Sequence, residues 1–275
     1  VDTLLANGFT QLRIDIPTWY DTGGVEISKS AVTLGVAKGA KVIWGVTACA
    51  ELNSTNWPNF RQGILDAAQW AQDNGVFEFQ LGNEDENRVD GTTLTVSQLI
   101  TNLKSVATEV QAIFTNGNVS YSCESSFISD WITAGKGDID ILASNVYRGH
   151  DGIYNDDWKT KIDNLINAFG PDGTYLTEFS LSWTSLDDYS TDEAVQAEAI
   201  TEMIEYIKAS GMTRALFFCY KSPNWLADFG ALKTDGTYRL LWNQALLNSE
   251  SVKSITVPAK TATISLPNTV ALIQK

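Results

Sequence analysis

Apolar residues in this chain fall into two kinds of run that take turns from one end to the other. Short runs rich in β-branched and aromatic residues occur at 9–16 (FTQLRIDI), 41–46 (KVIWGV), 77–81 (FEFQL), 119–123 (VSYSC), 139–144 (IDILAS), 175–177 and 215–219 (ALFFC). They read as strands, and the first is stopped by Pro17. Longer stretches at 26–38, 59–74, 95–115, 127–134, 157–169, 192–209 and 238–247 read as helices. In the stretch from 192, Ile200, Met203, Ile204 and Ile207 fall at i, i+3, i+4 and i+7, the single apolar stripe of a helix lying on a sheet. Residues 1–8 (VDTLLANG) read as the last turns of a helix closed by a glycine.

Strand and helix alternating over the whole length predict a parallel sheet with helical crossovers. No G-x-G-x-x-G or G-x-x-x-x-G-K-[ST] loop is present, which argues against an open nucleotide-binding sheet. The expected fold is therefore α/β, a TIM-type (β/α) barrel over residues 1–248, with a short β tail over 249–275 packed on it. Seven strands are one short of the usual eight. The missing one should precede the helix fragment at Val1, so that the barrel reads as incomplete at its amino terminus. Either that strand lies outside this sequence, or the tail replaces it, since 255–257, 261–266 and 270–273 also read as short β segments. An uncovered first or last strand would be a pairing liability. The tail should then cover the edge in a monomer, or another chain should do so in a dimer.

Composition narrows the chemistry. With 275 residues, 44% hydrophobic and 19% charged, the chain can bury one large core. A formal net charge of -14 argues against the basic stripe of a nucleic-acid protein but leaves a neutral polymer such as a polysaccharide open as partner. Three cysteines are too few for a disulfide framework, and Cys123 and Cys219 fall in apolar runs as buried small hydrophobes. With a single histidine, His150, and no Cys or His cluster, neither a metal nor a cofactor is expected. No 18-residue apolar stretch predicts a membrane span.

Barrel enzymes place reacting groups at the carboxyl ends of their strands. Here those positions hold Arg13 and Asp15, Thr47, Asn83 with Glu84, Glu124, Asn145 and Tyr147, Glu178, and finally Tyr220 with Trp225. Two carboxyl groups facing each other across a barrel mouth suit glycoside cleavage, where one protonates the leaving oxygen and the other attacks the anomeric carbon. Glu84 and Glu178 fit that pattern, three strands apart. Burial and a nearby carboxylate can keep the acid protonated, and a cation such as Arg13 can keep the nucleophile ionised.

QLGNE at 80–84 and TYLTEFS at 174–180 resemble the acid/base and nucleophile motifs of the retaining glycoside hydrolases of clan A, most of all the family 5 cellulase and mannanase group. The similarity runs from LLANGFTQLRIDI to GALKTDGTYRLLWNQAL. The resemblance implies a barrel whose acid/base ends the fourth strand and whose nucleophile ends the seventh. One strand missing at the amino terminus brings the third and sixth strands of this chain to those places. It further implies that Asn83 bonds the sugar 2-hydroxyl, that Arg13 and Tyr147 steady Glu178, and that Trp225 stacks on the sugar. The implied activity is retaining, endo-acting hydrolysis of a β-glucan or β-mannan, for which secretion is the natural location.

Plainer readings compete with these. Arg13 could simply pair with Asp15, and Glu124 is a rival carboxylate at its own strand end. Asp85, Glu86 and Arg88 read as loop surface. Among the nine tryptophans, Trp44 and Trp242 lie in packing patterns, while Trp19, Trp183 and Trp225 follow strand ends and suit sugar platforms. Lys221 could serve a Schiff-base lyase, though a surface charge is the simpler reading. The main alternative function is a non-catalytic carbohydrate-binding protein on the same scaffold.

Overall fold

In the computed structural model the seven apolar runs form parallel strands. They are β1 (Gln11–Asp15), β2 (Lys41–Gly45), β3 (Glu78–Asn83), β4 (Asn118–Glu124), β5 (Ile141–Arg148), β6 (Leu176–Leu181) and β7 (Ala215–Phe217). The structure describes residues 1–15, 22–48, 51–149, 157–181, 193–219, 230–233, 235–246, 254–257, 265–266 and 269–270. Helices α1 (Asp2–Ala6), α2 (Thr22–Ala37), α3 (Trp57–Asp73), α4 (Val96–Ile113), α5 (Ile128–Ala134), α6 (Trp158–Phe169) and α7 (Glu193–Ala209) alternate with the strands. A π turn at Trp242–Leu246 follows β7. No helix among the described residues is long and apolar enough to cross a membrane.

The gap between β7 and β1 is filled from the tail. Ser254–Val257 forms β8, parallel to both neighbours, with Leu12 opposite Ile255 on one side and Phe217 opposite Ile255 on the other. The barrel is thereby closed in the order β1 to β8, and its eighth strand comes last in the chain rather than first. Of the other tail segments, Ser265–Leu266 and Thr269–Val270 pair antiparallel with each other.

Strand alternation sorts the side chains into two cores. Outward residues such as Trp44, Phe79, Leu81, Val119, Tyr121, Phe179 and Phe217 pack against the helices in the larger one. A smaller cluster of Ile43, Ile141, Ala143, Tyr175 and Leu216 is separate from it. Helix starts follow local chemistry: α3 begins with Pro58 in its first turn, where the missing N–H costs nothing. Thr95 and Gln98 make a reciprocal capping box at α4.

β6 runs past the expected end at Thr177 to Leu181, and its pairings slip on both sides: between Ser144 and Asn145 against β5, and between Leu176 and Phe179 against β7. Such an irregularity lets two consecutive residues share one face. Thr177 and Glu178 both reach partners on other strands of the barrel: Thr177 bonds Asn145 of β5, and Glu178 bonds Arg13 of β1.

Candidate active site

At the carboxyl end of the barrel, register sets Ser122 of β4 opposite Asn83 of β3, Asn145 of β5 opposite Glu124 of β4, and Glu178 of β6 opposite Asn145. Arg13, wholly buried, reaches across from β1. Its Nη1 donates to Glu178 Oε1 at 2.7 Å, its Nη2 to Asn83 Oδ1 at 2.7 Å and its Nε to Gln80 Oε1 at 2.7 Å. The Tyr147 hydroxyl donates to the other Glu178 oxygen. Both oxygens of Glu178 therefore receive donors, one of them a permanent cation.

Glu84 sits in a different setting. It follows the last residue of β3 with φ 54° and ψ 32°, a left-handed conformation that costs a residue with a side chain about 1–3 kcal/mol. Its N–H donates to Ser122 O at 2.9 Å, and the carbonyl of the same turn accepts from Asn87 N at 3.1 Å. The Glu84 carboxyl accepts a single described hydrogen bond, from Asn145 Nδ2 to Oε1 at 2.9 Å. Burial raises its pKa above the ordinary carboxylate value, and the neighbouring charges of Glu124 and Glu86 add to the rise; the Asn145 donor and Arg13 oppose it. Glu124 also sits at the mouth, its own oxygens engaged by Ser125 Oγ at 3.0 Å and Ser126 N at 2.8 Å. Thr47 Oγ1 donates to the Asn83 carbonyl at 3.3 Å.

Asp85 and Glu86 correct the expectation of loop surface, for both are buried, while Arg88 is exposed. The left-handed turn at Glu84 folds the 3-10 turn Asp85–Arg88 back onto the barrel rim. Asp85 Oδ1 there accepts from Ala48 N at 2.9 Å, and Glu86 Oε1 from Trp131 Nε1 at 2.6 Å. Gly82 is needed for this fold-back: a Cβ at that position would lie 2.0 Å from Asp85 Oδ2 and 2.7 Å from the Tyr121 ring. Burial pushes Asp85 well above the usual carboxylate range and Glu86 up to about 7.

The structure thus brings Glu84, Glu178, Arg13, Asn83 and Tyr147 into one connected cluster. Arg13 pairs with Glu178. Trp19, Trp183, Trp225, His150, Tyr220 and Lys221 lie outside the described residues, as does Cys49. Cys123 and Cys219 are buried free thiols, and Trp44 and Trp242 are buried. No group of three or more His, Cys, Asp or Glu side chains among the described residues could hold a metal ion. Sequence reasoning gave no role to Gln80 or Asn145. The available signal was polarity at inward strand positions: Gln80 is wholly buried within β3, and Asn145 is 1% exposed within β5.

No protein-family model matches the chain. No curated protein matches it in sequence. Among solved structures, the glycoside hydrolase family 53 catalytic domain of Ignisphaera aggregans superposes with a TM-score of 0.66 at 16% identity, covering 90% of this chain and 88% of that one. An exo-β-1,4-mannosidase from Opitutaceae bacterium strain TAV5 gives 0.66 at 11% identity, over 86% of this chain and 52% of that one. A family 5 xyloglucanase from Paenibacillus pabuli gives 0.60 at 13% identity, over 87% and 86%. These likenesses establish a shared TIM-type barrel.

Proposed function

We propose that the chain is a glycoside hydrolase that cleaves β-glycosidic bonds with retention of configuration, Glu84 serving as acid/base and Glu178 as nucleophile. The observation that carries this reading is the contrast between the two carboxyls at the ends of β3 and β6. Glu178 is supplied with donors on both oxygens, an environment that favours the anion. Glu84 is partly buried beside other carboxyls with a raised pKa, an environment that favours the acid. Two carboxyl groups driven apart in this way match the division of labour in retaining hydrolysis. The barrel likeness to a β-1,4-mannosidase and a xyloglucanase supports the reading at the level of scaffold.

In the first step the Glu178 carboxylate attacks the anomeric carbon while the bond to the leaving oxygen breaks and takes the proton of Glu84. In the second, Glu84, now a carboxylate, removes a proton from water as the water oxygen displaces Glu178. Asn83 Oδ1 is occupied by Arg13 and Asn145, which turns its amide N–H groups toward donation to a sugar hydroxyl. The substrate we favour is a β-glucan or β-mannan attacked within the chain, the three tryptophans beyond the strand ends serving as platforms. Closure of the barrel by the chain's own Ser254–Val257 supports a monomer. Proton NMR of the first sugar released from glucan, mannan, xylan and galactan tests the reading. The β-anomer should appear first; the α-anomer would overturn retention, and binding without release would favour the non-catalytic alternative.

A further inference from the structure

Arginine has donors only, so the orientation of the amides around Arg13 follows from chemistry rather than choice. The Asn83 side-chain atom 2.7 Å from Arg13 Nη2 has to be its oxygen. The Asn145 amide atom 3.2 Å from that same oxygen then has to be its nitrogen, and this nitrogen also lies 2.9 Å from Glu84 Oε1. On its other side, Asn145 Oδ1 lies 3.0 Å from Ser122 Oγ and 2.7 Å from Thr177 Oγ1; these two hydroxyls also bond each other, which leaves one of them to donate to Asn145. At 1% exposure Asn145 is shielded from competing water, and its amide is gripped from both ends. Glu84 Oε1 thus faces a fixed N–H, which favours the hydrogen on Oε2, because the carbonyl oxygen of an acid is the better acceptor. Oε2 has no hydrogen-bond partner among the described residues.

Building on the assignment of Glu84 as acid/base, we propose that Asn145 is a positioning residue which, set by Arg13 through Asn83, confines the transferable proton of Glu84 to Oε2. An amide does this without titrating, so the arrangement holds over the whole working pH range. The same N–H stabilises the Glu84 carboxylate when it must act as base in the second step. Ser122 and Thr177 belong to the device, because they hold the Asn145 oxygen away from Glu84.

The test compares kcat/KM for wild type and Asn145→Ala on 2,4-dinitrophenyl β-cellobioside, whose leaving group needs no proton, and on cellotetraose, whose leaving group does. The mannose pair replaces them if the protein prefers mannan. The variant should lose about 10- to 100-fold on the tetraose and about threefold or less on the aryl glycoside. The basic limb of the tetraose pH profile should move to higher pH, since a donor to the Glu84 carboxylate has gone. Equal losses on both substrates with an unmoved limb would overturn the proposal and leave the hydrolase reading intact. Failure of the wild type to cleave either pair would overturn the hydrolase reading and the proposal together. Should the alanine variant not fold, Asn145→Ser reads the same two quantities.

Discussion

The two ends of the barrel carry the same three residue types, an arginine, a glutamate and a tyrosine, arranged to opposite effect. At the amino-terminal end, Arg214 Nη1 donates to Glu78 Oε2 at 2.6 Å and the Tyr175 hydroxyl to Glu78 Oε1 at 2.6 Å. The guanidinium lies 3.6 Å from the Tyr175 ring centroid. At the mouth, Arg13 and Tyr147 engage Glu178 in the same fashion. What differs is the company. Beside the mouth triad stands a second carboxyl, Glu84, with a raised pKa and an oxygen without a described partner, and the base has no counterpart to it among the described residues. An ion pair with a tyrosine is thus not by itself a reactive device; in the proposed function it is the under-supplied acid beside it that makes it one.

Exchange of the two glutamates breaks the comparison most sharply. Glu178→Ala should lower kcat by at least about 10⁴-fold, while Glu78→Ala keeps it within about tenfold. Steady-state kinetics on a shared substrate decides, and comparable losses would erase the distinction between the two ends. Stability should rank the other way. Glu78→Gln removes the counter-charge of Arg214, whose side chain is 13% exposed, and should cost about 3 kcal/mol in urea unfolding. Glu178→Gln should cost less, because Arg13 keeps Gln80 and Asn83 as acceptors.

Much of this contrast was open to reading from sequence, and the rest was hidden for identifiable reasons. Arg13, Asn83, Glu84, Tyr147 and Glu178 stand at or near the ends of runs whose alternation marks them as strands, so their common location follows from the barrel rule. The base triad is legible only in part: Glu78 opens β3 and Tyr175 and Arg214 lie just before β6 and β7, but nothing in their spacing shows that they meet. Burial of Asp85 and Glu86 depends on a left-handed turn at a glutamate, where sequence would have pointed to glycine. The inward placement of both Thr177 and Glu178 depends on a register slip that strict alternation forbids. The eighth strand was visible as a β segment at 255–257, but its place beside β1 is a matter of space, not of order along the chain.

Glu86 offers the finest test, because it probes what under-supply of a buried carboxyl does without being a proposed participant in the chemistry. Its carboxyl is buried among Trp131, Tyr121, Cys123, Asp85 and Glu124 and takes one strong donor, Trp131 Nε1; Oε2 has no hydrogen-bond partner among the described residues. Burial moves its pKa from an ordinary 4.5 to about 7. Between those values the folded chain keeps a proton that the unfolded chain has released. The stabilisation from this group is therefore present in full below pH 4.5 and is lost as pH rises through 7, by about 3 kcal/mol at most. Glu86→Gln keeps the shape and abolishes the titration. Urea midpoints should nearly coincide for variant and wild type at pH 4.5 and diverge in favour of the variant by pH 8, whereas parallel profiles would mean that Glu86 is ionised in the fold at no cost. Kinetics on the same variant adds a second reading. Since the Glu86 charge raises the Glu84 pKa, its removal should draw the basic limb of kcat/KM toward lower pH, opposite to the movement expected for Asn145→Ala.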